Sequence, residues 1–411
     1  MNLRGDITVA LLLVVMVLCL FGQALNLYCG YLREFEAALL SVQWMLLVCI
    51  VVLCAPFIFL TFSLIDLPLI GLLLIAIAAY FIGYAASQSA MNAIILLAGI
   101  TLGRGARFFL KIGNRKSEIG NFLIGLVVLL AFSSWWYLDM TGAYHGPRWM
   151  GLWNNPNIYG MLMGVGLLLA VELFAQRQKE QFRMEKLLSL ILFIAAGMMT
   201  IGLIFSYSRG VWVGTVAGLL YLAKAHGKFK WRFVLPVILV VVAVVCFFWH
   251  STADTDAWYL KRLDLSRPSA QHRVSAWRGA LQMMRDHPLG VGWNKAVGVY
   301  DKNYSPPENG AMALTMNSYL MLGTELGLPG LLCFVAYVWL SLRRKIDRLE
   351  ACPTLACRAG ALALLVAFWF DGGLFTLATA SVFWILLELG TSDLAVNRKC
   401  LKTQSFPSQP A

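Results

Sequence analysis

Charge is what this sequence has least of. Only 13% of its 411 residues are Asp, Glu, Lys or Arg, about half the share usual in a soluble domain. Disulfide chemistry is also missing. Of the nine cysteines, Cys19, Cys49, Cys54, Cys246 and Cys333 lie in apolar runs and Cys352 and Cys357 in a basic loop, while Cys29 stands alone in a loop read as external. The five histidines, His145, His226, His250, His272 and His287, form no pair with metal-ligand spacing. There is no serine-nucleophile elbow and no phosphate-binding glycine loop. Nor is there an internal repeat, a low-complexity tract or a soluble domain. No metal and no cofactor is expected.

Apolar residues are what remain, 60% of the chain, in long runs rather than alternating patches. That pattern specifies an all-α, polytopic membrane protein. Twelve spans are expected: Ile7–Phe21, Ala37–Phe62, Pro68–Tyr84, Met91–Leu102, Asn121–Leu138, Ile158–Phe174, Leu187–Phe205, Val211–Ala223, Phe233–Trp249, Leu328–Leu342, Leu355–Phe370 and Leu374–Leu389. Residues 1–411 then form a single integral membrane domain. The start of the chain resembles a signal peptide, but so many spans follow that a retained first helix is expected.

The net charge of +12 suits nucleic acid less well than cytoplasmic loops, and nucleic acid is not an expected partner. With the N-terminus inside, alternate loops collect two thirds of the 33 basic residues on one face. Both termini are then cytoplasmic, and residues 250–327 form a long periplasmic loop between spans nine and ten. Eight basic residues sit in that loop: Lys261, Arg262, Arg267, Arg273, Arg278, Arg285, Lys295 and Lys302. Six acids offset part of their charge. A solvated loop surface accounts for the composition alone.

Four segments could carry chemistry. In Ser206-Tyr207-Ser208-Arg209-Gly210, Ser208 reads as the N-cap of a helix beginning at Val211. The positive helix end and Arg209 together suit an anion, or else the arginine snorkels to headgroups. Residues 270–286 read as an interfacial amphipathic helix stopped before Pro288, with Val274, Trp277, Leu281 and Met284 on one face and Arg273, Arg278 and Arg285 toward the others. Asp371-Gly372-Gly373 puts a carboxylate near the membrane edge, where an arginine across the bundle is its natural partner. Asn154-Asn155-Pro156-Asn157 reads mainly as a helix start, with Asn155 as cap and Pro156 at the first helical position, and with Arg148 and Trp149 as surface contacts.

In order and spacing these segments resemble the O-antigen ligase and polymerase superfamily. The resemblance rests on Ser208-Arg209-Gly210, on Arg273 with Trp277, on Asp286-His287-Pro288-Leu289-Gly290-Val291-Gly292, and on Asn317-Ser318-Tyr319-Leu320 with Glu325-Leu326-Gly327-Leu328-Pro329-Gly330. It implies an inverting, metal-independent glycosyltransferase of the bacterial inner membrane with its active site facing the periplasm. Its donor would be an undecaprenyl-diphosphate-linked glycan and its acceptor a hydroxyl of lipid A-core or another glycan. Arg209, Arg273 and Asp371 would be catalytic, and Arg148, Trp277, Arg278 and Asn317 would join Arg209 and Arg273 in binding substrate. A guanidinium pairs bidentately with phosphate, which fits that assignment.

One position departs from the family. Its histidine before the asparagine is here Met316, which cannot accept a proton. His272, Glu308 and Glu325 are the candidate bases; otherwise the chemistry runs on arginine electrostatics alone, or this member lacks ligase activity. The alternative readings are a polymerase of O-antigen or exopolysaccharide, a solute carrier of the bicarbonate type, and a non-catalytic binder of lipid-linked glycan. A carrier calls for charges within broken mid-membrane helices and for inverted repeats.

Overall fold

A computed structural model describes residues 3–29, 48–49, 52–53, 55–56, 62–83, 87–111, 116–134, 148–153, 155–177, 183–226, 268–304, 317–343 and 351–391. Every regular element among them is helical: α1 (Leu3–Cys29), α2 (Leu67–Gly83), α3 (Ser87–Lys111), α4 (Lys116–Ser134), α5 (Pro156–Arg177), α6 (Arg183–Phe205), α7 (Arg209–Ala225), α8 (Pro268–Asp286), α9 (Ala296–Asn303), α10 (Ser318–Glu325), α11 (Gly327–Arg343), α12 (Ala351–Ala367) and α13 (Leu377–Gly390). Three stretches are long and apolar enough to cross a membrane, Met91–Leu110, Pro156–Arg177 and Lys186–Phe205, and six shorter apolar helices accompany them. The expected spans 37–62 and 233–249 fall largely or wholly outside the described residues.

Glycines set how closely the helices approach. In α7, a Cβ on Gly210 would strike the Phe370 ring, one on Gly214 the carbonyl of Ala363, and one on Gly218 the carbonyl of Ala359. The contacts run backwards along the partner, so α7 and α12 are antiparallel, backbone against backbone. Such small-residue stripes are how helices associate where lipid removes the hydrophobic drive. In α3, Gly99 and Gly103 receive the Trp384 ring and backbone of α13. Here the numbers rise together, so those helices are parallel.

Followed helix by helix, these pairings give the bundle two ends. Ser208, Asn157, Ser318 and Asp371 meet at one. Asp66, Arg104, Arg107, Glu388 and Tyr337 meet at the other. There Arg104 pairs with Asp66 at 2.5 Å and with Glu388 at 3.1 Å, and Arg107 reaches Glu388 at 3.1 Å. Tyr337 donates its hydroxyl to Glu388. A separate pair, His226 with Glu172 at 2.7 Å, joins the far ends of α7 and α5.

This second end corrects the sequence reading. Arg104 and Arg107 lie beyond the expected end of their span at Leu102, yet both are buried, as is Arg358. The helix α3 does not stop at Leu102, where its apolar run ends, but continues to Lys111. Two arginines are thereby carried into the bundle, where carboxylates neutralise them.

The region read as one long loop contains α8, α9 and α10. In α8 the buried side chains are Ala276, Ala280, Met283 and Met284, packed with Tyr300 of α9 and Leu320 of α10. Val274 and Leu281 are exposed, at 47% and 58%. The expected stripe Val274–Trp277–Leu281–Met284 is therefore split. Alanines face the protein because they let the helices approach, and the bulkier Val274 and Leu281 point outward beside exposed Arg278 and Arg285.

Candidate active site

The site is built around the end of α12 and the turn after it, residues 368–373. Phe368, Trp369, Phe370 and Asp371 each meet a residue from another part of the chain. The Phe368 carbonyl accepts from the Ser318 amide at 3.0 Å. The Trp369 ring lies against Trp277, centroids 5.7 Å apart, and against Tyr319 at 5.5 Å. Phe370 fills the space that a side chain on Gly210 would need. The Asp371 carbonyl accepts from Ser318 Oγ at 2.8 Å, and that same hydroxyl oxygen receives the Leu374 amide at 3.2 Å.

The Asp371 carboxylate is held by Asn157, whose Nδ2 donates to Oδ2 at 2.7 Å. The other side of that amide, Oδ1, accepts from Arg148 Nη2 at 2.9 Å and from Ser208 Oγ at 2.9 Å. Arg148 also donates through Nε to the Ser206 carbonyl at 2.8 Å. Through this amide Arg148 is linked to Asp371.

Asn155 and Pro156 behave as the sequence indicated. Asn155 Oδ1 accepts from the Asn157 amide at 2.8 Å, and α5 begins at Pro156. What the sequence reading missed was Asn157 itself, one residue beyond Pro156, at the centre of the site. Ser208 occupies the N-cap of α7, but its side chain makes no capping hydrogen bond because its hydroxyl is given to Asn157. The first amides of α7 thus lack a side-chain cap. Just before it, Tyr207 adopts a left-handed φ of 49°, a conformation that non-glycine residues take at a cost and that clusters at functional turns.

Arg209 begins α7 and is exposed, with no ion pair among the described residues. Its neighbour Gly210 against Phe370 places it beside the Asp371 turn. Trp277 on Trp369 brings α8 to the same place. Arg278 is exposed one position on, while His272 and Arg273 lie in the first turns of α8, where the described structure is limited to backbone. Glu308 and Met316 lie outside the described residues.

Asn317 and Glu325, the remaining candidates, stand at opposite ends of α10. Asn317 is its N-cap, accepting from the Tyr319 and Leu320 amides at 3.0 and 3.1 Å. Its fully buried Nδ2 has no partner among the described residues, which leaves a donor beside the Asp371 turn. Glu325 closes the helix, about 12 Å further along the axis. Its Oε1 accepts the Asn294 amide at 3.2 Å, and burial pushes its carboxyl up to about 8.

Glu325 belongs instead to a backbone clasp. The Val291 and Gly292 amides donate to the carbonyls of Thr324 and Glu325, each at 3.0 Å, and Leu328 donates to Pro288 at 2.9 Å. Gly290 (φ 82°) and Gly327 (φ 74°) cross so tightly that a Cβ on either would strike the other segment's backbone. The two glycine-containing segments read as separate motifs are two halves of one joint, and Trp293 anchors it by donating to the Ala76 carbonyl of α2 at 2.8 Å.

Residues 191–335 match the family model described as O-antigen ligase. No curated protein matches the chain significantly. The matched stretch carries Arg209, α8, the glycine clasp and Asn317, while Arg148, Asn157 and Asp371 come to it from either side in sequence. Over residues 191–335, about a third of its length, the chain is similar to the O-antigen ligase family.

Proposed function

We propose that this protein is an envelope glycosyltransferase of the O-antigen ligase type. It transfers a glycan from an undecaprenyl-diphosphate donor to an acceptor hydroxyl, with inversion and without a metal. The observation that carries the proposal is the 368–373 turn, which draws Arg209, α8 with its arginines, Asn317 and the Arg148–Asn157–Asp371 chain to one end of the bundle. The family match supports a glycosyltransferase acting on lipid-linked glycan in a membrane.

In this reading the donor's diphosphate lies against Arg209 and Arg273, close to the uncapped start of α7. Guanidinium groups and helix amides both favour a dianion there. The acceptor oxygen attacks the anomeric carbon as the bond from that carbon to the diphosphate oxygen breaks. Undecaprenyl diphosphate departs with the negative charge, and the arginines lower the barrier by neutralising it. The hydroxyl proton passes to Asp371, the carboxylate that the described residues bring into this cluster; Glu325 is too far along α10 for the task. General-base help of this kind contributes roughly 10²–10⁴-fold. The site end faces the periplasm of the inner membrane, and α8 rests at the interface with Val274 and Leu281 toward lipid and Arg278 toward headgroups.

The charges buried at the opposite end are paired with one another. That fits an enzyme scaffold better than a solute path. The test is a host whose surface polysaccharide depends on this protein. With Arg209→Ala and Arg273→Ala made separately and expressed at normal levels, the glycan ladder should disappear. Full-length lipid-linked polymer accumulating behind the block identifies a ligase, and single repeat units identify a polymerase. An unchanged ladder in both variants removes the diphosphate site.

A further inference from the structure

We infer that Asn157 is a positioning residue for Asp371, acting as a neutral spacer between that carboxylate and Arg148. The inference rests on the proposed reading, in which Asp371 takes the acceptor's proton.

All the described polar contacts of the Asn157 side chain point the same way. Its Nδ2 faces Asp371 at 2.7 Å, and its Oδ1 faces two donors, Arg148 and Ser208, each at 2.9 Å. The orientation of the amide is therefore fixed by its surroundings, because a reversed amide would set an N–H against a guanidinium and an oxygen against a carboxylate. A carboxylate at position 157 would pair with Arg148 directly and repel Asp371. Alanine would leave both ions without the link. Asparagine, accepting from Arg148 and donating to Asp371, transmits the pull of the guanidinium to the carboxylate.

The spacer also ties three parts of the site together. Ser208 precedes Arg209, so the hydroxyl that would cap α7 fixes the Arg209 turn to Asn157 instead. Ser318 holds the backbone of the same aspartate from α10. Asn157 thus sets the distance between the arginine that would bind the donor and the carboxylate that would serve the acceptor. Displacements near 1 Å at such positions cost about 10²-fold in rate.

The experiment uses the full-length protein in detergent with lipid-linked donor and acceptor, and measures kcat, donor KM and thermal stability. Asn157→Ala should lower kcat by roughly 10–100-fold and leave donor KM within about twofold. Asn157→Asp should lose both stability and activity. Adding Asp371→Asn to it restores a hydrogen bond of reversed polarity. The carboxylate introduced at position 157 then accepts from Arg148, from Ser208 and from the amide introduced at position 371. Stability should return in this double variant and activity should not. Activity recovered in the double variant, or unchanged kcat in Asn157→Ala, overturns the inference. Arg209→Ala runs alongside: if its kcat/KM equals that of the wild type, the proposed reading itself fails.

Discussion

Asn157 and Asp371, 214 residues apart in sequence, share a 2.7 Å hydrogen bond that joins the start of α5 to the turn after α12. Around that bond stand the arginine-bearing turn before α7, the cap of α10 and the aromatic contact to α8. The bundle therefore supplies the carboxylate end of the site from elements outside the family-matched stretch and the cationic end from within it.

The clasp between Gly290 and Gly327 should matter for folding rather than chemistry. Either glycine changed to alanine meets backbone at left-handed φ, a strain of about 1–3 kcal/mol before the steric clash is added. Each single variant should lower the melting temperature in detergent by several degrees. The double variant should fall short of the sum, since both act at one crossing. Additive losses would mean that the two positions are independent.

Glu325 gives stability a pH dependence of known sign. In the unfolded chain its carboxyl titrates near ~4.3, and in the folded chain near about 8. Below the first value both states hold the proton and burial carries no penalty. Between the two the unfolded chain alone releases it, so stability falls as pH rises. Glu325→Gln keeps an acceptor for the Asn294 amide and cannot ionise. Its melting temperature should drop less than the wild type's between pH 5 and pH 8; equal drops would count against a buried proton at this residue.

At the opposite end, Glu388→Gln should be far more damaging than a surface change. It leaves Arg104 and Arg107, both buried, with one carboxylate where there were two. Breaking a buried pair costs about 3–5 kcal/mol. Thermal unfolding should show that loss, while exposed Arg343→Ala at the end of α11 should behave as the wild type does. Similar stability for both variants would show that the network is not balanced as described.

Much of this was legible in the sequence, for reasons that vary by residue. The helical class and the helix start at Pro156 follow from local signals, an apolar run and a cap. Arg209 and Asp371 stood out because charge is scarce near spans. Asn157 did not, since a helix-start asparagine has an adequate local explanation and its partners lie 9, 51 and 214 residues away. Gly290 and Gly327 could be seen as motifs, but the crossing that demands glycine at both exists only once the loop folds back on α10. The apolar stripe of α8 was legible from its spacing, but not that Met284 turns inward with Ala276, Ala280 and Met283 while Val274 and Leu281 stay exposed, because that depends on where α9 and α10 pack against it.

The central claim is that a diphosphate binds at the Asp371 end through Arg209. Its most direct test is the equilibrium binding of undecaprenyl diphosphate to purified protein in detergent, comparing wild type, Arg209→Ala and Arg343→Ala. A charge-assisted contact is worth about 1.5–3 kcal/mol, so Arg209→Ala should bind roughly 10–100-fold more weakly and Arg343→Ala should match the wild type. Equal affinity in all three proteins would contradict the account.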